Sequence, residues 1–192
     1  MARCRRRKRV FETADRDDAS IGYRKPVPLR THLDGVVSWA ERLCDRLQID
    51  QCRGAIVDAG SAHDIGKDRP WWQRAIGVTA PPPLAKSGRK GFDQVVNAGY
   101  RHKLGSLTDL LTREQRPADL VAHLVASHHG HARPGFTADA GGPSGRAGAD
   151  DVVAGAAVRF VRLQRDLGHW QLAYLEAILK AADALSSREG DA

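Results

Sequence analysis

From Thr31 onward the apolar residues of this chain recur every three or four positions, and no stretch alternates long enough to make a half-buried strand. That periodicity restricts the fold to packed helices. Thr31 reads as an N-cap, with Val36, Val37, Ala40, Leu43 and Leu47 following at helical spacing. A second helix is expected after Asp50, with Cys52, Ala55, Ile56, Ala59 and Ala62 on its inner face and Gly66 as its stop. A short helix holds Trp71 and Trp72, and another follows His102. Pro117 opens the next, lined by Leu120, Val121, Leu124 and Val125. Two more run over about 151–167 and 170–187. Pro81–Pro83, Lys86–Gly91 and the stretch 130–149 have the Gly and Pro content of loops. The expected architecture is all-α, a single helical bundle of about seven helices.

The 192 residues suffice for one hydrophobic core, and no apolar run is long enough for a membrane span. The opening MARCRRRKRV has no apolar stretch behind it and so is not a secretory signal. Cys4, Cys44 and Cys52 lack CxxC spacing and read as reduced thiols of a cytoplasmic protein. Of the net charge of +7, six positive charges come from Arg3, Arg5, Arg6, Arg7, Lys8 and Arg9, leaving the remainder close to neutral. Residues 1–24 therefore form a basic arm or linker, 25–188 the domain and 189–192 a tail. Such an arm either touches phosphate backbones without reading sequence or is simply solvated.

The chemistry centres on His63-Asp64-Ile65-Gly66-Lys67. Adjacent His and Asp offer an imidazole nitrogen and a carboxylate to one cation. The glycine lets the chain turn away, and the lysine can then face a phosphate as a point charge. The segment is not a nucleotide-binding loop, because five residues separate Gly60 from Gly66 and Asp68 stands where Ser or Thr would hold magnesium. Further ligands are available in His32, His102, the pair His128-His129, and Asp183. Five histidines and two aspartates exceed what one ion takes, and they suit two ions bridged by a carboxylate. His123, five residues before His128, falls on another face of its helix and reads as core or as support for the ligands. His131 and His169 read as surface or substrate-facing.

The order His32, His63-Asp64, His102, His128-His129, Asp183 resembles the HD nuclease domain of the type I CRISPR effector nuclease-helicase. Tyr100-Arg101-His102 followed by Ser106 is similar to that family's Arg-His segment, and His128-His129-Gly130 with Arg133-Pro134 to its double-histidine motif. Leu163-Gln164-Arg165, Trp170-Gln171-Leu172-Ala173-Tyr174-Leu175-Glu176 and Ala182-Asp183-Ala184-Leu185 are similar to the variant that follows the helicase. Where the family usually carries Glu, this chain has Lys103, a reversal of charge beside the second metal. The resemblance implies an HD-domain bundle with a recessed two-metal site. His32, His63, Asp64 and Asp183 would hold one ion, and Asp64, His102, His128 and His129 the other, with Asp64 bridging. Two such ions acidify a shared water for in-line attack on phosphorus, with Asp64 and Lys67 the catalytic residues. Histidine-rich ligation favours Mn, Fe, Co or Ni over Mg.

By the same resemblance the substrate is single-stranded DNA, cut during CRISPR interference. The partners are an RNA-guided surveillance complex and a helicase in a separate chain or missing segment. Lys86, Arg89, Lys90, Arg101, Lys103 and Arg133 could line a positive groove for the strand. Trp71, Trp72 and Phe136 either offer stacking faces or pack the core. The nearest rival is an HD phosphodiesterase acting on cyclic nucleotides or cyclic dinucleotides. The cyclic-dinucleotide enzymes share HDIGK and a double histidine, but they carry Gly-Tyr-Pro where this chain has His131-Ala132-Arg133-Pro134-Gly135-Phe136. A non-catalytic nucleic-acid-binding module would have decayed ligands, and none is missing here.

Overall fold

Apolar residues at helical spacing place Leu29, Leu33, Val36, Ala40 and Cys44 on the buried face of a helix, α1 (Leu29–Leu47). The computed structural model describes residues 25–88, 91–130, 132 and 149–189. After α1 come α2 (Arg53–Ala62), a 3-10 turn (Ile65–Lys67), α3 (Pro70–Ala75), α4 (Gln94–Asn97), α5 (His102–Leu111), α6 (Asp119–Ser127), α7 (Ala149–Leu167) and α8 (His169–Glu189). Two short strands, β1 (Pro26–Pro28) and β2 (Leu84–Ser87), complete the described elements. The fold is mostly helical, as the periodicity requires. Among the described residues no helix is long and apolar enough to cross a membrane.

Several boundaries differ from the sequence-based expectation for local reasons. Thr31 lies inside α1, and Pro28 stands at the N-cap. A cap from Thr31 is not needed there, because the Leu29 amide donates to the Pro83 carbonyl at 2.9 Å. Pro117 precedes its helix by two residues, and Ala118 caps α6. In α3, Pro70 occupies the first turn, where its missing N–H costs nothing. The four-residue α4 was not expected. It begins where the Asp93 side chain accepts from the amides of Val95 and Val96.

The β1–β2 ribbon corrects the expectation of a strandless chain and of a loop at Lys86. Its strands pair antiparallel, with Val27 opposite Lys86. A three-residue strand with proline at both ends offers one amide N–H and no readable alternation. Gln73 holds β2 in place, its side chain bonding both Leu84 backbone groups at 2.9 Å and the Lys67 carbonyl at 2.8 Å.

The core lies where α1, α2, α5, α6, α7 and α8 meet, and it includes Val36, Ile56, Leu107, Leu124, Val125, Leu175 and Leu179. Small residues bring the helices close. A Cβ on Gly35 would lie 2.5 Å from Ser186 Oγ of α8. That approach brings the first and last helices together, and each carries a candidate ligand.

Candidate metal centre

Two of the candidate histidines stand at helix ends for the same reason. His63 is the C-cap of α2 and His128 the C-cap of α6. The last turn of a helix leaves carbonyls without amide partners. The Gly60 carbonyl lies 2.8 Å from His63 Nδ1, and the Val125 carbonyl lies 2.7 Å from His128 Nδ1. Carbonyls only accept, so each Nδ1 carries the proton and donates it. Each Nε2 is left with a lone pair turned toward the other ligands, the tautomer a metal ligand needs.

Asp64 follows His63 into the buried centre and is 2% exposed. Its Oδ2 lies 3.3 Å from His32 Nε2, 3.5 Å from His63 Nε2 and 2.9 Å from Lys67 Nζ. Its Oδ1 lies 3.3 Å from His102 Nε2 and 3.6 Å from His128 Nε2. Asp183, from α8, puts Oδ1 3.3 Å from His32 Nε2 and 4.0 Å from His63 Nε2. The side chains thus form two clusters able to hold a metal ion: Asp64, His102, His128 and His129, and His32, His63 and Asp183. Asp64 faces the second cluster as well, through its other oxygen. All seven expected ligands are brought together.

The donor set fits a cation. His63 Nε2, His128 Nε2 and Asp64 Oδ1 are buried and make no hydrogen bond. Leaving such atoms unsatisfied costs about 1–3 kcal/mol each, and cations held by the two clusters would meet all three, one at His63 and the other at His128 and Asp64 Oδ1. The charges point the same way. Burial pushes the His63 imidazole down to about 4, so it is neutral and able to ligate. Burial would raise the Asp64 carboxyl, but Lys67 and the neighbouring histidines hold it well below the usual carboxylate range. Burial likewise opposes the Asp183 carboxylate, and His32 and His63 hold its pKa down. His32 is buried too, yet the Asp183 and Asp64 carboxylates raise its pKa.

The 3-10 turn is locked to α5 at Gly66. Its amide donates to Ser106 Oγ at 2.9 Å, and its carbonyl accepts from Tyr100 Oη at 2.6 Å. A Cβ at Gly66 would lie 2.1 Å from the His102 carbonyl and 2.5 Å from the Ser106 amide. Gly66 is therefore required by close approach, not by a left-handed turn, since its φ is not positive. This contact sets His63-Asp64 against His102. Trp72, 3% exposed, backs the site with its ring 4.9 Å from that of His102. Trp71 meets the Tyr100 ring edge-on at 5.6 Å. The tryptophans thus pack the site's wall.

Compared with protein-family models, curated proteins and solved structures, the chain matches none of them. The ligand set rests on the geometry above and on the residues themselves.

The expected positive groove needs correction. Lys86 is 3% exposed and Lys103 fully buried. Residues 102–107 are all buried, so the first turns of α5 have no solvent face for Lys103 to use. Lys86 sits on β2, which packs against α1, and donates to Ser187 Oγ of α8. Arg101 is half-buried just ahead of α5. Arg89, Lys90, Arg133, Phe136, His131, Cys4 and the basic arm 1–24 lie outside the described residues. Lys67, expected to face a phosphate, is buried against Asp64. His123 is not a ligand: its Nε2 lies 2.6 Å from Glu176 Oε1 and its ring stacks on Phe160 at 5.6 Å. His169 is exposed at the start of α8. Sequence reasoning missed the Lys86–Ser187 contact, which no local pattern signals. The carbonyls of Gly60 and Val125 were in principle findable, each three residues before a helix-ending histidine.

Proposed function

We propose that this protein is an HD-type metal-dependent nuclease that hydrolyses phosphodiester bonds of single-stranded DNA in CRISPR interference, supplied with strands by a helicase partner. The observation that carries the reading is the placement of Asp64, whose two oxygens face two separate clusters of histidines. Asp64 Oδ2 with His32, His63 and Asp183 would hold one divalent ion, and Asp64 Oδ1 with His102, His128 and His129 the other. Held there, ions of the Mn, Fe, Co or Ni type would supply acidification of water and neutralisation of charge on the phosphoryl oxygens. The chain's own residues do the rest. The Gly60 and Val125 carbonyls fix two imidazole tautomers, and Lys67 keeps Asp64 ionised.

Two features support a single strand as substrate. His32, His63, Asp64, His102 and His128 are each 3% exposed or less, so a stiff duplex cannot lie against them. His129 and Asp183, one from each cluster, are only half-buried, and a strand would reach the clusters through them. The order of the ligands and the Trp170–Glu176 and Ala182–Leu185 segments resemble the CRISPR nuclease family, which supports the helicase partner and the RNA-guided complex. That setting is cytoplasmic.

The test is incubation of the purified chain with Mn²⁺ and, separately, single-stranded DNA, blunt duplex DNA and a cyclic dinucleotide. Metal-dependent cutting of the single strand ahead of the duplex is expected. Equal rates on both DNAs would remove the strand preference, and hydrolysis of the cyclic dinucleotide alone would replace the nuclease with a nucleotide phosphodiesterase.

A further inference from the structure

Lys86 is a buried lysine, 3% exposed. A buried ammonium keeps its charge only if other groups replace its hydration. Here Nζ donates to Ser187 Oγ on α8. A hydroxyl has one proton and two lone pairs, so accepting from Lys86 leaves its proton to donate. The Ser187 hydroxyl lies 3.4 Å from Asp183 Oδ1, one helical turn earlier. That oxygen is also the one 3.3 Å from His32 Nε2 and 4.0 Å from His63 Nε2. A continuous polar path therefore runs from the β1–β2 ribbon through α8 to one cluster.

We propose that Lys86 and Ser187 are positioning residues that hold the Asp183 carboxylate in its ligating orientation for a divalent ion at His32, His63 and Asp183. This rests on the two-metal reading above. Asp183 needs such help more than Asp64 does. Its side chain is 22% exposed against 2% for Asp64, so packing restrains it less. The 3.4 Å contact is long for a hydroxyl–carboxylate hydrogen bond, and Lys86 strengthens it by polarising the hydroxyl. A partner that orients a ligating carboxylate is typically worth about 10- to 100-fold in metal affinity. Lys86 thus belongs to the metal site and not to a DNA groove.

The experiment is a calorimetric titration of the metal-stripped chain with Mn²⁺. Wild type should bind two ions. Ser187→Ala and Lys86→Met should each weaken one site by about tenfold or more, the same site that Asp183→Ala removes, and leave the other unchanged. Ser187→Thr, which keeps the hydroxyl, should titrate like wild type. If Lys86→Met does not fold, Ser187→Ala carries the test alone. The proposal is overturned if Ser187→Ala binds both ions as wild type does, if both sites weaken together, or if Ser187→Thr loses as much as Ser187→Ala. A wild-type chain that binds no Mn²⁺ overturns both this inference and the metal reading. One that binds two ions but cuts no DNA removes only the nuclease.

Discussion

Asp64 reaches both clusters because its two oxygens point to opposite sides of one buried carboxylate. A single substitution there should therefore remove a ligand from each cluster at once. Asp64→Ala is expected to abolish Mn²⁺-dependent cleavage while the helical circular dichroism persists. The fold should survive because its core lies among apolar residues of six helices. Substantial cleavage by this variant, correctly folded, would refute the bridging role. His123 gives the opposite kind of prediction. Its hydrogen bond to Glu176 ties α6 to α8 in the interior, away from the ligand atoms. His123→Leu should cost about 1–3 kcal/mol of stability by taking a partner from a buried carboxylate. Denaturant unfolding reads this directly, and Mn²⁺ stoichiometry should stay at two. A drop to one ion would make His123 part of the metal centre after all.

At the scale of elements, the site depends on how closely the 3-10 turn meets α5. Gly66→Ala would push a methyl group into the backbone of His102, Gly105 and Ser106, none of which can rotate away. Overpacking of this kind costs about 1–3 kcal/mol and sometimes more. It should also separate Asp64 from His102, so metal affinity should fall together with melting temperature. A stable Gly66→Ala variant with unchanged Mn²⁺ binding would show that the contact positions nothing. The same elements show what the sequence could reveal. The long helices were legible because a buried face repeats every turn, and the seven residues that the fold gathers into two clusters were legible because their types and order suggest a shared chemistry. The β1–β2 ribbon was not, since Pro26–Pro28 is too short for any period to register and its partner strand lies beyond α3. Lys86 was misplaced for that reason: a lysine between Pro83 and Gly88 looks like a loop cation until the strand pairing buries it. Lys103 was misplaced because exposure was assumed from charge, whereas α5 is enclosed on all sides at that level.

On the scale of the whole molecule, the candidate ligands join distant parts of the chain. His32 lies on α1, His63 and Asp64 follow α2, His102 opens α5, His128 and His129 end α6, and Asp183 lies on α8. An ion at His32, His63 and Asp183 would touch the first and last helices together, and one at Asp64, His102, His128 and His129 would join the turn after α2 to α5 and α6, so neither could stay bound while its helices are detached. Metal binding should therefore stabilise the entire cooperative unit and not a local loop. With free Mn²⁺ at about a hundred times its dissociation constant, one site contributes about 2.7 kcal/mol. For a chain of this size that corresponds to a rise of about 5–10 °C in melting temperature. The rise should be reversed by a chelator and should be absent in Asp64→Ala, which weakens both clusters. Asp183→Ala should retain part of it, since His102, His128, His129 and Asp64 remain. Melting that ignores Mn²⁺, or that rises equally in Asp64→Ala, would mean that the ion binds elsewhere on the surface and that the buried clusters are hydrogen-bonded core alone.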